Sequence, residues 1–224
     1  MVKHMDISPK VQEYLAEAYR LAQQGGATVS TSDLAEQMDV SAPAAARMIS
    51  RLSESGLVEH EPYRGIRLTP AGEREALKSI RRHRLVEAFL VNVMAFGWDE
   101  VHDEADAIGA VVSDVVADRM EALAGYPTRC PHGEPIPTAE GVMPEVHDMP
   151  MIEVHAPTDL IVSRVRTHDA EKLRYLADLQ LIPGQPVTLV NRAPFHGPLR
   201  LTIDGHEQVI GYELARVLRV ALAE

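Results

Sequence analysis

Two histidine–carboxylate pairs repeat at one spacing in this chain: His83 with Glu87, and His102 with Asp106. A separation of four residues puts both members of a pair on one helical face. Cys130 and His132 stand two apart in a proline-rich stretch, and Asp169 and Glu171 open a short helical pattern further on. Imidazole, carboxylate and thiolate donors together suit Mn, Fe, Co or Zn, unlike the all-oxygen sets that Mg or Ca prefers. A surface His/Glu pair is usually just solvated, and a lone cysteine is usually a small core residue. Four such features in one chain point to a divalent transition metal. The chain lacks a His-Glu-x-x-His motif, a phosphate loop and a Ser/His/Asp set in a recognisable context, so the enzyme reading is the weaker one.

These residues need elements to hold them, and the apolar periodicity supplies candidates. Pro9–Gln24 carries Val11, Leu15, Ala18, Tyr19 and Ala22 near a period of 3.6 and stops at Gly25-Gly26. Ser32–Met38 reads as a short helix capped by Thr31 or Ser32, and a third helix starts at Ser41 and ends at Gly56. Residues 57–60 and 66–68 form a hairpin with its turn at Pro62–Gly65. A long helix runs from Pro70 to about Ala95, and another is expected over Asp99–Ala124, with Val101, Ala105, Ile108, Val112, Val115 and Val116 along one face. Tyr126–Ile152 is a Pro- and Gly-rich linker. From Leu160 alternating strands take over, interrupted by a helix at Ala170–Leu179, and predict a small β-barrel. The fold class is therefore mainly α with a small β domain.

Helix, short helix, helix and hairpin in that order make a winged helix-turn-helix. The segment Thr31–Leu52 (TSDLAEQMDVSAPAAARMISRL) carries it, with Ala35 where the helices approach and Asp39-Val40 at the turn. Small residues Ala42, Ala44, Ala45 and Ala46 keep the recognition helix slim enough for a major groove about 12 Å wide. Ser41 and the helix N-terminus can meet a phosphate. Arg47 and Arg51 can reach base or phosphate, and Arg64 and Arg67 in the wing suit backbone contacts.

A formal charge of −11 seems at odds with DNA binding, but the acidity is local: residues 91–160 hold fourteen Asp/Glu against two Arg. The head is neutral and can present arginines locally, while the acidic middle suits cations. One cysteine excludes an intrachain disulfide and fits a reducing compartment. The absence of a long apolar stretch and of a signal-peptide pattern predicts a soluble, cytoplasmic protein.

Four stretches carry a resemblance: Arg82–Leu90 (RHRLVEAFL), Val101–Asp106 (VHDEAD) with Val112–Asp114 (VSD), Cys130–Pro137 (CPHGEPIP) and Leu173–Gly184 (LRYLADLQLIPG). Together the chain resembles the diphtheria-toxin-repressor family of iron- and manganese-dependent regulators. The resemblance implies a winged helix-turn-helix over 1–72, a helical dimerisation and metal-binding domain with its linker over 73–150, and an SH3-like (FeoA-type) barrel over 151–224. It implies a homodimer reading a palindromic double-stranded operator, with metal as co-repressor controlling metal-homeostasis genes. By motif, His83, Glu87 and His102 match one ligand set. Glu87, Cys130, His132 and an acid of the last domain, Asp169 or secondly Glu171, match the arrangement of manganese-type members. Glu13 matches a first-helix ligand position paired with Asp106, and Pro43 matches the recognition-helix proline that touches thymine methyls. Arg47 stands where the family often has Gln. The chain departs from the pattern at Gly109 and Ala110, where the family places Glu-His, so a second, activating site lacks two ligands. Asp106 in place of a cysteine tilts the preference slightly to Mn(II) over Fe(II), against the pull of Cys130 toward softer ions. Zn(II), Co(II) or Cd(II) are expected to substitute in vitro. Two other readings compete: a winged-helix regulator answering to an organic ligand or to Cys130 oxidation, and a metallohydrolase tethered to DNA, which would need an open coordination position and a general base.

Overall fold

In a computed structural model that describes residues 7–26, 28–61 and 64–223, the first helix, α1 (Pro9–Gly25), starts where Ser8 accepts a bond from the Val11 N–H and Pro9 presets the first turn. α2 (Thr31–Gln37) and α3 (Ala42–Glu54) follow, joined through Asp39 in the left-handed region and the Val40 N–H on the Ala35 carbonyl. The cap of α2 is Ser30, whose hydroxyl accepts from the Asp33 N–H at 3.0 Å, and not Thr31 or Ser32. β1 (Val58–Glu61) and β2 (Gly65–Leu68) pair antiparallel as the wing; part of the turn expected at Pro62–Gly65 lies outside the described residues. Val29 adds a further bridge to Ile66, with both N–H···O bonds at 2.8 Å. One core of Leu15, Leu34, Ile49, Leu52, Val58 and Ile66 holds the head together.

α4 (Pro70–Asn92) ends three residues before Ala95, which adopts a left-handed conformation. The single helix expected over Asp99–Ala124 is two: α5 (Val101–Gly109) and α6 (Asp114–Leu123). The break has a local cause. Gly109-Ala110 weakens the helix, and Ser113-Asp114 restarts it, the Ser113 hydroxyl and carbonyl accepting from the Val116 and Ala117 N–H groups. The single apolar face splits accordingly: Val101 and Ala105 are fully buried, whereas Val115 and Val116 are 79% and 48% exposed.

After β3 (Met149–Pro150) and a 3₁₀ turn (Met151–Glu153) come β4 (Thr158–Val165), α7 (Ala170–Asp178), β5 (Pro186–Arg192), β6 (Leu199–Ile203), β7 (His206–Ile210), α8 (Tyr212–Ala215) and β8 (Leu218–Leu222). The strands form one antiparallel sheet in the order β3-β8-β4-β5-β6-β7 over a core that includes Leu160, Val162, Leu173, Leu189 and Leu201. Among the described residues the expected barrel does not close. Its edges are β7 and the two-residue β3, and Pro150 there has no N–H to donate to a seventh pairing.

Two compact units divide the chain: residues 1–83, 106–117 and 137–144 in one, and 84–105, 118–136 and 145–224 in the other. No described helix is long and apolar enough to cross a membrane.

Candidate metal centre

α4 is enclosed at its centre, with Leu85, Val86, Ala88 and Leu90 all buried, so Glu87 goes inside with them and is 2% exposed. A carboxylate removed from water needs charge or hydrogen bonds in compensation. Here the Glu87 Oε1 atom lies 3.5 Å from His132 Nδ1 and 3.6 Å from His102 Nδ1. Ligand atoms of Glu87, Cys130 and His132 all fall within 4.8 Å of one another, and all three side chains are buried.

The loop that brings Cys130 and His132 together is a tight turn. The Cys130 N–H donates to the Glu134 carbonyl at 2.9 Å, and the Gly133 N–H to the Cys130 carbonyl at 2.8 Å. Gly133 has φ +84°, and a Cβ there would lie 2.2 Å from the Ser163 carbonyl oxygen of β4. The loop therefore presses its backbone on that strand, and the Val165 N–H donates to the His132 carbonyl at 2.9 Å.

The Nε2 of His132 lies 2.8 Å from the Trp98 carbonyl oxygen, which can only accept, so Nε2 carries the proton of that bond. Nδ1 then faces the Glu87 carboxylate, and two lone pairs at that range repel unless a cation stands with them: a proton or a metal ion. A backbone carbonyl that fixes the ring of a ligating histidine is the usual support of metal sites. Burial, and next the Glu87 carboxylate, push the Cys130 thiol well above its ordinary range, against a smaller opposing pull from Arg84. The donor set of one carboxylate, one sulfur and imidazoles fits a borderline transition metal.

His83, one turn before Glu87 on α4, has its Nδ1 2.9 Å from an Asp106 carboxylate oxygen. Glu13 is half-exposed and pairs with Lys10 at 2.9 Å. Asp169 is the N-cap of α7: its carboxylate accepts from the Glu171 and Lys172 N–H groups at 3.1 and 3.2 Å, which, with the Lys172 ammonium, holds it below the usual carboxylate range. Neither Asp169 nor the exposed Glu171 falls in a potential ligand group among the described residues. A residue of the last domain that the sequence reading leaves out, His168, also reaches this region. Its ring centroid lies 3.5 Å from that of His102 and 6.1 Å from that of His132. Its role depends on His102, distant in the chain, so the local sequence carries no signal for it.

In the head, Ser41, Ala42, Pro43, Arg47 and Arg51 are exposed, and Ala44 is half-buried. Ser41 caps α3 by position without a side-chain capping bond. Both wing arginines lean on Glu61, Arg67 in close contact and Arg64 at 3.7 Å.

Models of three domains match the chain: the N-terminal DNA-binding domain of iron-dependent repressors over residues 6–66, their metal-binding and dimerisation domain over 69–138, and the FeoA domain over 149–222. The iron-dependent repressor IdeR of Mycobacterium tuberculosis is 32% identical over 220 residues, which cover 92% of this chain and 94% of the relative. The diphtheria toxin repressor of Corynebacterium diphtheriae is 27% identical, with 96% and 98% covered. Among solved structures, a manganese-dependent transcriptional repressor in complex with manganese aligns with TM-score 0.87 and 36% identity, covering 95% of this chain and all of the other. ScaR with bound Zn2+ aligns with TM-score 0.79 and 29% identity, covering 95% and 99%. Similar from end to end to regulators of this kind, the chain belongs to the iron-dependent repressor family of metal-dependent, DNA-binding transcriptional repressors.

Proposed function

We propose that Glu87, Cys130 and His132 hold the regulatory ion, with His102 beside them and His168 closing over His102 from the last domain. The facing of His132 Nδ1 and the buried Glu87 carboxylate, with Nε2 committed to the Trp98 carbonyl, carries this reading. His83, Glu87 and His102 are a second ligand set, supported by the one-turn spacing of the first two and the closeness of the last two. Asp106 orients the His83 ring from outside, and Glu13 with Asp106 remains the candidate pair for a separate activating position, short of ligands at Gly109 and Ala110.

A divalent ion at the Glu87 centre supplies the positive charge that this carboxylate, the Cys130 sulfur and the imidazoles share. Cys130 gives up its proton to serve as a ligand, so uptake strengthens as pH rises. Glu87 belongs to α4 and Cys130 to the loop, so shared coordination ties helix to loop. The co-repressor is Mn(II) or Fe(II), with Mn(II) slightly ahead: Asp106 is a hard donor where iron-sensing members carry a thiolate, and a manganese-dependent repressor aligns over 95% of this chain with TM-score 0.87. The functional segments are 1–72, 73–150 and 151–224, acting in the cytoplasm as a homodimer on a palindromic operator of metal-homeostasis genes. Ser41, Ala42, Pro43 and Ala44 enter the groove, Arg47 and Arg51 reach base or phosphate, and Arg64 and Arg67 leave Glu61 for the backbone.

The experiment is a titration of Mn(II) and Fe(II) against binding of the full chain to DNA from its own upstream region. Affinity is expected to rise with metal, collapse with chelator and fall steeply with salt. Equal binding by metal-stripped protein overturns the reading.

A further inference from the structure

Glu134, four residues after Cys130, falls in neither potential ligand group among the described residues, yet its carboxylate stands between two elements that the proposed centre needs. Oε2 receives Arg84 Nη2 of α4 at 3.3 Å and Arg164 Nη1 of β4 at 3.1 Å. Arg84 also donates Nη1 to the Pro135 carbonyl at 2.6 Å, three residues before Glu87 on the same helix. Arg164 is itself held in a fork by Asp148, with Nε at 2.6 Å and Nη2 at 2.7 Å from the two carboxylate oxygens. Arg219 of β8 donates Nε to Asp148 at 2.5 Å, and the Ser163 hydroxyl donates at 2.8 Å. Asp148 has no exposed side-chain surface, and Arg84, Arg164 and Glu134 are largely covered. Burial opposes ionisation of Asp148, but the hydrogen bonds from Arg164, Arg219 and Ser163 prevail and hold its carboxyl at about 2. Such a network is rigid only while every member is present.

We propose that Glu134 is a positioning residue for the metal centre. By joining Arg84 on the Glu87 helix to the Asp148-braced Arg164 on β4, it fixes the Cys130–His132 loop at the distance that coordination requires. The last domain thereby acts on metal affinity through β4, without donating a ligand of its own by this route. Gly133 packed against Ser163 and the Val165–His132 backbone bond place the loop on the same strand independently of the charges. This inference rests on the metal-centre reading above.

The test is a Co(II) titration of the full-length dimer, well below its melting temperature, read by the thiolate-to-Co(II) charge-transfer band and the d–d spectrum. Glu134→Gln is expected to reach the wild-type band at saturation with its midpoint at about 10-fold or more higher Co(II), the range seen when an outer partner of a ligand is lost. A purely structural part would lower the melting temperature and leave midpoint and d–d bands alone; that result overturns the proposal. Should Glu134→Gln not fold, Arg164→Lys decides, since it keeps the charge and loses the fork: a raised midpoint supports the proposal, an unshifted one overturns it. A wild-type chain without the charge-transfer band overturns the metal-centre reading itself, and the role of Glu134 with it.

Discussion

Glu87 and Asp106 both face a histidine, but their settings differ in what a cation would find. Around Glu87 the partners are enclosed, one imidazole is turned by the Trp98 carbonyl, and the loop carrying Cys130 is clamped on a strand. Around Asp106 the carboxylate is 57% exposed and meets His83 at 2.9 Å, and Glu13 is engaged with Lys10. A preassembled, dry set binds an ion without first ordering its side chains; an open, incomplete one must order them at the moment of binding. The difference teaches that matching residue types are not matching sites: enclosure and support separate them.

Substituting Glu87→Gln breaks the contrast outright. Co(II) or Mn(II) affinity at the buried set is expected to fall by roughly 100-fold or more, beyond what loss of an outer partner costs, measured by titration calorimetry; a change below tenfold would mean that Glu87 is not a ligand. Gly133→Ala acts on the clamp. Its left-handed backbone and the 2.2 Å approach of a Cβ to the Ser163 carbonyl should cost about 1–3 kcal/mol or more, read as a lowered urea midpoint. An unchanged midpoint would show that the loop yields freely. Glu13→Ala sharpens the contrast from the open side. An exposed i, i+3 ion pair is worth about 0.5 kcal/mol or less, so both stability and metal uptake at the buried set should stay within a factor of about two. A large loss would draw Glu13 into the centre after all.

Strong local signals made much of this legible in the sequence. Proline and serine start α1, the period of 3.6 carries α4, and the Cys-x-His loop reads as a ligand pair from its residues alone. What stayed hidden depended on neighbours distant in the chain. The His168 ring matters because it lies on His102, and nothing in the local pattern states that. Asp169 looked like a ligand by type, but the helix beginning at Ala170 claims its carboxylate as a cap. The break between α5 and α6 is readable from Ser113-Asp114 but competes with an apolar stripe, two of whose six members, Val115 and Val116, lie exposed. The open sheet hinges on a two-residue edge strand, too short to leave a periodic trace.

Cys130, the only sulfhydryl in the sequence, is also almost sealed from solvent at 5% exposure. A thiol-selective reagent that labels Cys130 must therefore wait for the loop to lift from its strand, and the labelling rate becomes a clock for that opening. Run with and without a bound ion, or with and without operator DNA, the same clock would time how often the centre breathes, with no engineered probe.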